Sequence, residues 1–326
     1  MLWRTGEVCK VKRLACLASV LCLAIAAPRV EAQFQNDVSE AVRYGPERVY
    51  RYRCGVIVWA SGGPCRGIVA TAPLPSEWPE QKVTIVEEDF SPGTRVAYRT
   101  VEGSVRQMVV QIPFLAPGHE LRAVVTTEVR RRPQLPPDDP DSFVLPPKRR
   151  LPRAVRPYLG PSPGIESTSA KIVRLARQIA PDEQVAWKKV EAIGEWVREN
   201  IQYQDGRHQG AIATLERRTG CNEDLVSVFI ALCRANGIPA RTVWIYRGCY
   251  AEFYLQDSEG QGHWFPCRLT GTPAFGQMPD TTPILEKGDN FRSPTDPRRR
   301  RRFLAETLSG AGGTPQKRFI RELVGQ

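Results

Sequence analysis

Residues 219–241 read TGCNEDLVSVFIALCRANGIPAR, and the rest of the chain is interpreted around them. Leu225, Val228, Phe229, Leu232 and Cys233 follow the i, i+3, i+4, i+7, i+8 spacing of a helix packed on a core. Gly237 stands where such a helix ends, and Pro239 prevents it from resuming. Cys221 precedes the helix instead of lying on its apolar face, so its thiol sits at a helix N-terminus, where the dipole favours thiolate. Cys233 lies on the apolar face and reads as core.

Two further helices come before this one. Ile172, Leu175, Ala176 and Ile179 share a face. Ala186, Val190, Ile193 and Val197 form a second stripe, beginning near Pro181-Asp182. Strands follow the cysteine helix at Arg241–Ile245, Cys249–Leu255 and His263–Cys267, the last two joined by the polar loop Gln256–Gly262. Upstream, Val49–Arg53, Lys82–Val86, Met108–Ile112 and Leu121–Thr126 alternate or run β-rich between Gly/Pro breaks, the pattern of an antiparallel sandwich-like domain. Arg130–Pro161 is Pro-rich with basic clusters and reads as an extended connector that buries little. Past Gly271 the pattern fades. Leu304–Leu308 and Phe319–Leu323 read as short helices, Arg298–Arg302 as a solvated tail or a weak anionic contact, and the glycines at 310–313 lack the context of a phosphate loop.

The fold class expected is α+β: an N-terminal antiparallel β-sandwich-like domain, then a core with the cysteine at a helix N-terminus packed on an antiparallel sheet. The expected divisions are a signal peptide 1–32, a β-rich domain 33–130, a linker 131–165, a core domain 166–270 and a basic extension 271–326.

The N-terminus carries Arg4, Lys10, Lys12 and Arg13, then an apolar run from Leu14 to Ala27 and Val30-Glu31-Ala32. This is the layout of a secretory signal cut near Ala32. The run is 14 residues, short of the roughly 20 a spanning helix needs, and no later stretch is longer. The chain is therefore expected to be secreted or periplasmic. Removing residues 1–32 takes away five basic and two acidic side chains, leaving (46 − 5) − (35 − 2) = +8. In an exported protein with its arginines in loops, that balance points away from nucleic acid. It leaves a solvated surface, or affinity for acidic polymers.

Six cysteines remain: Cys54, Cys65, Cys221, Cys233, Cys249 and Cys267. Cys54 and Cys65 flank Gly62-Gly63-Pro64, where a local structural disulfide would fit. There is no C-x-x-C, and the only histidines are His119, His208 and His263, so neither zinc nor any cofactor is expected.

The Gly-Cys helix leading into Ala231-Leu232-Cys233-Arg234-Ala235-Asn236-Gly237-Ile238-Pro239-Ala240-Arg241 resembles the transglutaminase-like superfamily, with its papain-like core. Glu195-Trp196-Val197, Asn200–Tyr203 and Tyr158–Ser162 are similar to segments upstream of that family's cysteine, and the likeness covers roughly residues 155–270. It implies amide hydrolysis or acyl transfer by a cysteine thiolate, with histidine shuttling the proton and aspartate orienting the histidine. Laid over the family's two strand patterns, Gly248-Cys249-Tyr250-Ala251-Glu252-Phe253-Tyr254 puts Gly248 at the histidine position. Trp264-Phe265-Pro266-Cys267-Arg268 puts Arg268 at the aspartate position. Both partners are replaced.

If Gly248 faces Arg268, paired numbers sum to 516. His263 then falls about 17 Å from the vacant site at ~3.3 Å per residue. Cys249 would face Cys267, as a disulfide or as two packed thiols. His208, in the loop before the cysteine helix, would have to fold back to act as a substitute base. Arg268 would favour a Cys221 thiolate, while Glu223 and Asp224 would oppose it. Three readings result. One is an impaired relative binding a peptide or cell-wall fragment in the envelope. The second is a working cysteine enzyme with an unusual base, and the third is a purely architectural secreted protein.

Overall fold

The structure is a computed structural model and describes residues 41–293, 296 and 298–324. The expected signal segment and its cleavage site lie outside the described residues. Six strands open the fold: β1 (Arg48–Ala60), β2 (Cys65–Leu74), β3 (Gln81–Phe90), β4 (Arg95–Val101), β5 (Val105–Leu115) and β6 (Glu120–Arg131). Alternation drives their packing. Tyr52, Cys54, Val56 and Val58 of β1 and Met108, Val110 and Ile112 of β5 all bury in one apolar cluster.

The core follows with α1 (Ala170–Gln178), α2 (Ala186–Asn200), β7 (Gln202–Tyr203), α3 (Ala211–Arg217), β8 (Thr219–Gly220) and α4 (Asn222–Ala235). Its strands are β9 (Ala240–Ile245), β10 (Gly248–Gln256), β11 (Gly262–Arg268), β12 (Ala274–Phe275) and β13 (Ile284–Lys287). They form an antiparallel sheet in the order β12-β11-β10-β9-β13. Helix α4 is buried from Asp224 to Arg234 and joins α1, α2 and one face of that sheet in a single core. Gly237, at φ +79°, takes the left-handed position after the helix. The fold is thus α+β, as the sequence implies, and α2 starts four residues later than Pro181-Asp182 suggests.

The chain ends in β14 (Phe291–Arg292), β15 (Arg300–Arg301), β16 (Thr307–Gly312) and β17 (Pro315–Leu323). Where short helices were expected at 304–308 and 319–323, residues 304–306 form no helix and residues 307–308 and 319–323 lie in strands. Strand β17 pairs with β1 in the sheet β17-β1-β6-β3, and β16 pairs with β2 in the sheet β16-β2-β5-β4. Short apolar runs do not separate helix from strand. Here the open edges of β1 and β2 decide, with Leu308, Phe319 and Leu323 packing on the sandwich.

The 131–165 segment is also more than a solvated connector. Phe143 is buried against Phe265 at 4.7 Å between ring centroids, Leu151 and Val155 pack with Tyr254, and Val144 bridges Gln256. Its prolines prevent regular structure without preventing burial. Sandwich and core are further tied by Lys287, whose Nζ lies 2.6 Å from both Glu80 and Glu252.

Two expectations about the hairpin change. The β10–β11 pair sets Ala251 opposite Cys267 and Phe253 opposite Phe265, so paired numbers sum to 518. The offset of two preserves which face each side chain takes but separates Cys249 from Cys267. All six described cysteines are free thiols, including Cys54 and Cys65. Cys54 sits mid-strand in β1 and Cys65 begins β2 in the other sheet, so the short loop between them does not bring their sulfurs together.

Candidate active site

Cys221 is the N-cap of α4, in extended conformation, and Asp224 is the third residue of that helix. Their side chains and backbones form a capping box: the Asp224 N–H reaches the Cys221 sulfur, and the Cys221 N–H donates to Asp224 Oδ2 at 3.0 Å. The thiol also donates to Oδ2, at 3.2 Å. Gly220 makes this closure possible, since a Cβ there would stand 2.6 Å from the Asp224 Cβ. The Gly-Cys pair is thus a packing requirement as well as a motif.

The two-residue parallel pair of β7 and β8 launches the 204–210 loop from beside Gly220. The loop returns across the helix start, where the backbone N–H groups of Gln209 and Gly210 donate to Asp224 Oδ1 at 2.8 and 3.0 Å. His208 Nδ1 comes within 2.7 Å of the same oxygen, an ion-pair distance. Its Nε2 lies against Gly164, where a Cβ would come within 2.3 Å. Gly164 also sits at φ +74°, so glycine suits both the backbone and the imidazole. The donor atoms of His208, Cys221 and Asp224 lie within 4.8 Å of one another.

Burial alone would raise the Asp224 carboxyl, but the His208 contact and the Gln209, Cys221 and Gly210 donors hold it well below the usual carboxylate range. The Cys221 thiol is pushed up, first by burial and then by its bond to Asp224. The backbone N–H groups of Asp224 and Glu223 pull more weakly the other way. The thiolate expected from the helix dipole is therefore opposed by the carboxylate in its own first turn.

Arg268 does not offset this. Its guanidinium is held by Asp280 at 3.0 Å and by the Met278 sulfur at 3.1 Å. Met278 belongs to the cluster with Val243 and Tyr250, whereas Phe265, Cys267 and Leu269 pack with α4, so Arg268 faces away from the helix. Gly248 does border the helix start. A Cβ there would lie 4.0 Å from Asn222 Nδ2, and Asn222 is fixed by Cys249 O at 2.8 Å and by the Thr270 hydroxyl at 2.7 Å. His263 is tied to Asp257 at 2.6 Å at the hairpin end, and His119 lies in the sandwich next to β6.

Of the arginine block, Arg302 is not solvated. It pairs with Glu223 at 2.9 Å and lies over Trp244. Asp224 as the shared hub is what sequence reasoning missed. The Cys-x-x-Asp spacing of a capping box was the available signal.

A thiol at a helix N-terminus packed on an antiparallel sheet is the layout of the cysteine-protease-like class. Residues 173–268 match the family described as the transglutaminase-like superfamily, so the core of this chain is transglutaminase-like. Among solved structures, the chain is similar in fold to a candidate cysteine protease from Cytophaga hutchinsonii, with TM-score 0.60 and 17% identity over 87% of this chain and 93% of that one. The periplasmic domain of TgpA from Pseudomonas aeruginosa gives TM-score 0.34 and 13% identity over 70% and 85%. A search of curated proteins finds no match. Among the described residues, no helix is long and apolar enough to cross a membrane.

Proposed function

We propose that this chain is an exported transglutaminase-like protein, catalytically impaired, that acts as a binding module for peptide or cell-envelope material. One observation carries the reading: the group that receives the Cys221 thiol hydrogen is the carboxylate of Asp224 and not an imidazole. A carboxylate held low in pKa is a poor acceptor for a thiol proton, and it repels the thiolate that would form. The positions matching the family's histidine and aspartate are Gly248 and Arg268, so no shuttle is supplied from the strands. Proton shuttles contribute about 10²–10⁴-fold, and the departing amine needs one. The net charge of +8 after loss of residues 1–32 favours an acidic ligand.

The test is a panel of peptide hydrolysis and glutamine transamidation assays on the purified protein, alongside calorimetric titration with acidic peptides and cell-wall fragments. Turnover no greater than that of Cys221→Ala, together with saturable binding, supports the proposal. Turnover that Cys221→Ala removes defeats it.

A second reading is favoured by the clustering of thiol, imidazole and carboxylate within 4.8 Å. In it, the protein is a working amide hydrolase or acyltransferase with His208 as its base. Activity lost in both Cys221→Ala and His208→Ala would select it.

A further inference from the structure

We propose that His208, Cys221 and Asp224 form a site for one divalent transition-metal ion of the zinc class, held by nitrogen, sulfur and oxygen donors. The inference goes beyond the binding-module reading and does not depend on it.

The donors belong to the set such ions prefer, an imidazole, a thiolate and a carboxylate, and all three converge within 4.8 Å. His208 Nδ1 already faces the carboxylate, 2.7 Å from Asp224 Oδ1, so the imidazole is turned into the cluster.

The carboxylate is already oriented from behind. Gln209 and Gly210 occupy Oδ1 and the Cys221 N–H holds Oδ2, leaving on Oδ2 the position that now takes the thiol hydrogen. Outer bonds of this kind fix a ligating carboxylate. A divalent cation entering there breaks the Sγ–H bond and forms a metal–sulfur bond, with the proton leaving to solvent. The thiolate so formed and the carboxylate beside it are then neutralised together by the ion. Three protein ligands leave one coordination position open. Cys221 and His208 are only partly buried, which gives the ion a way in.

The experiment is titration of the full chain with Co²⁺ and with Zn²⁺ in a thiol-free reductant, following the thiolate-to-cobalt charge-transfer band and the protons released. The expected result is one ion per chain, with the band abolished in Cys221→Ser and affinity at least tenfold weaker in His208→Ala. Asp224 caps α4 and its variant could fail to fold, so His208→Ala is decisive, with its unfolding midpoint in metal-free buffer checked against the parent. No band, a band that survives Cys221→Ser, or unchanged affinity in a folded His208→Ala overturns the site. Cys221-dependent amide turnover in chelator-treated protein would sink the impaired reading and leave the metal site standing.

Discussion

Asp224 Oδ2 lies 3.2 Å from the Cys221 sulfur and 3.0 Å from the Cys221 backbone nitrogen. One carboxylate therefore caps α4 and keeps the thiol protonated, so helix stability and thiol chemistry depend on the same side chain.

Asp224→Asn separates those two effects. It removes charge-assisted acceptors for buried donors, and urea unfolding should show a loss of about 2–3 kcal/mol. With a chelator present and the protein still folded, alkylation of Cys221 by iodoacetamide near neutral pH should become faster, because the carboxylate that raised the thiol is gone. Slower or unchanged alkylation would show that burial alone sets the thiol.

Glycines 220 and 248 should respond differently to alanine. At 220 the new Cβ meets the Asp224 Cβ at 2.6 Å and Thr214 Cγ2 at 3.0 Å, so Gly220→Ala should cost about 2–4 kcal/mol. At 248 the nearest atom is 3.9 Å away, and Gly248→Ala should stay within about 0.5 kcal/mol. Equal shifts in denaturant midpoint would contradict this packing of the cysteine turn.

Glu286 supplies a pH dependence. Burial raises its carboxyl to about 8, with the Leu304 N–H and Arg321 pulling the other way. The native state thus keeps a proton that the unfolded chain loses near 4.5. Its contribution is complete below that value and is lost as pH rises towards about 8. Glu286→Gln keeps a neutral acceptor for Leu304 and should flatten this slope. Unfolding midpoints at about pH 5 and about pH 9 for both proteins check it, and parallel slopes would exclude Glu286 as the source.

Thiol counting checks the cysteine framework. Titration of unreduced, denatured protein lacking residues 1–32 should find six free thiols. In the native state only Cys221, the one not fully buried, should react quickly. Mass spectra showing a Cys54–Cys65 or Cys249–Cys267 bridge would contradict the fold as described.

Local patterns carried most of the core in advance. The helical spacing from Leu225 to Cys233, the stop at Gly237 and the alternation in β5 and β6 each follow from one short stretch of chain. What was not legible depends on distance in sequence. A displacement of two residues in the β10–β11 register leaves every face unchanged, so pattern alone cannot detect it. His208 reaches Asp224 only because β7 and β8 pair and Gly164 makes room, neither of which a linear reading supplies. Arg302 looked like part of a charge run because Glu223 and Trp244 are its neighbours only in three dimensions.

The pairing of β17 with β1 means that the earliest strand finds its last neighbour only when residues 315–323 arrive. A chain delivered N-terminus first keeps that edge of β1 unsheltered until residues 315–323 follow. Completion of that sheet therefore waits for β17. Deleting residues 307–323 would strip an edge strand from each of the two sandwich sheets.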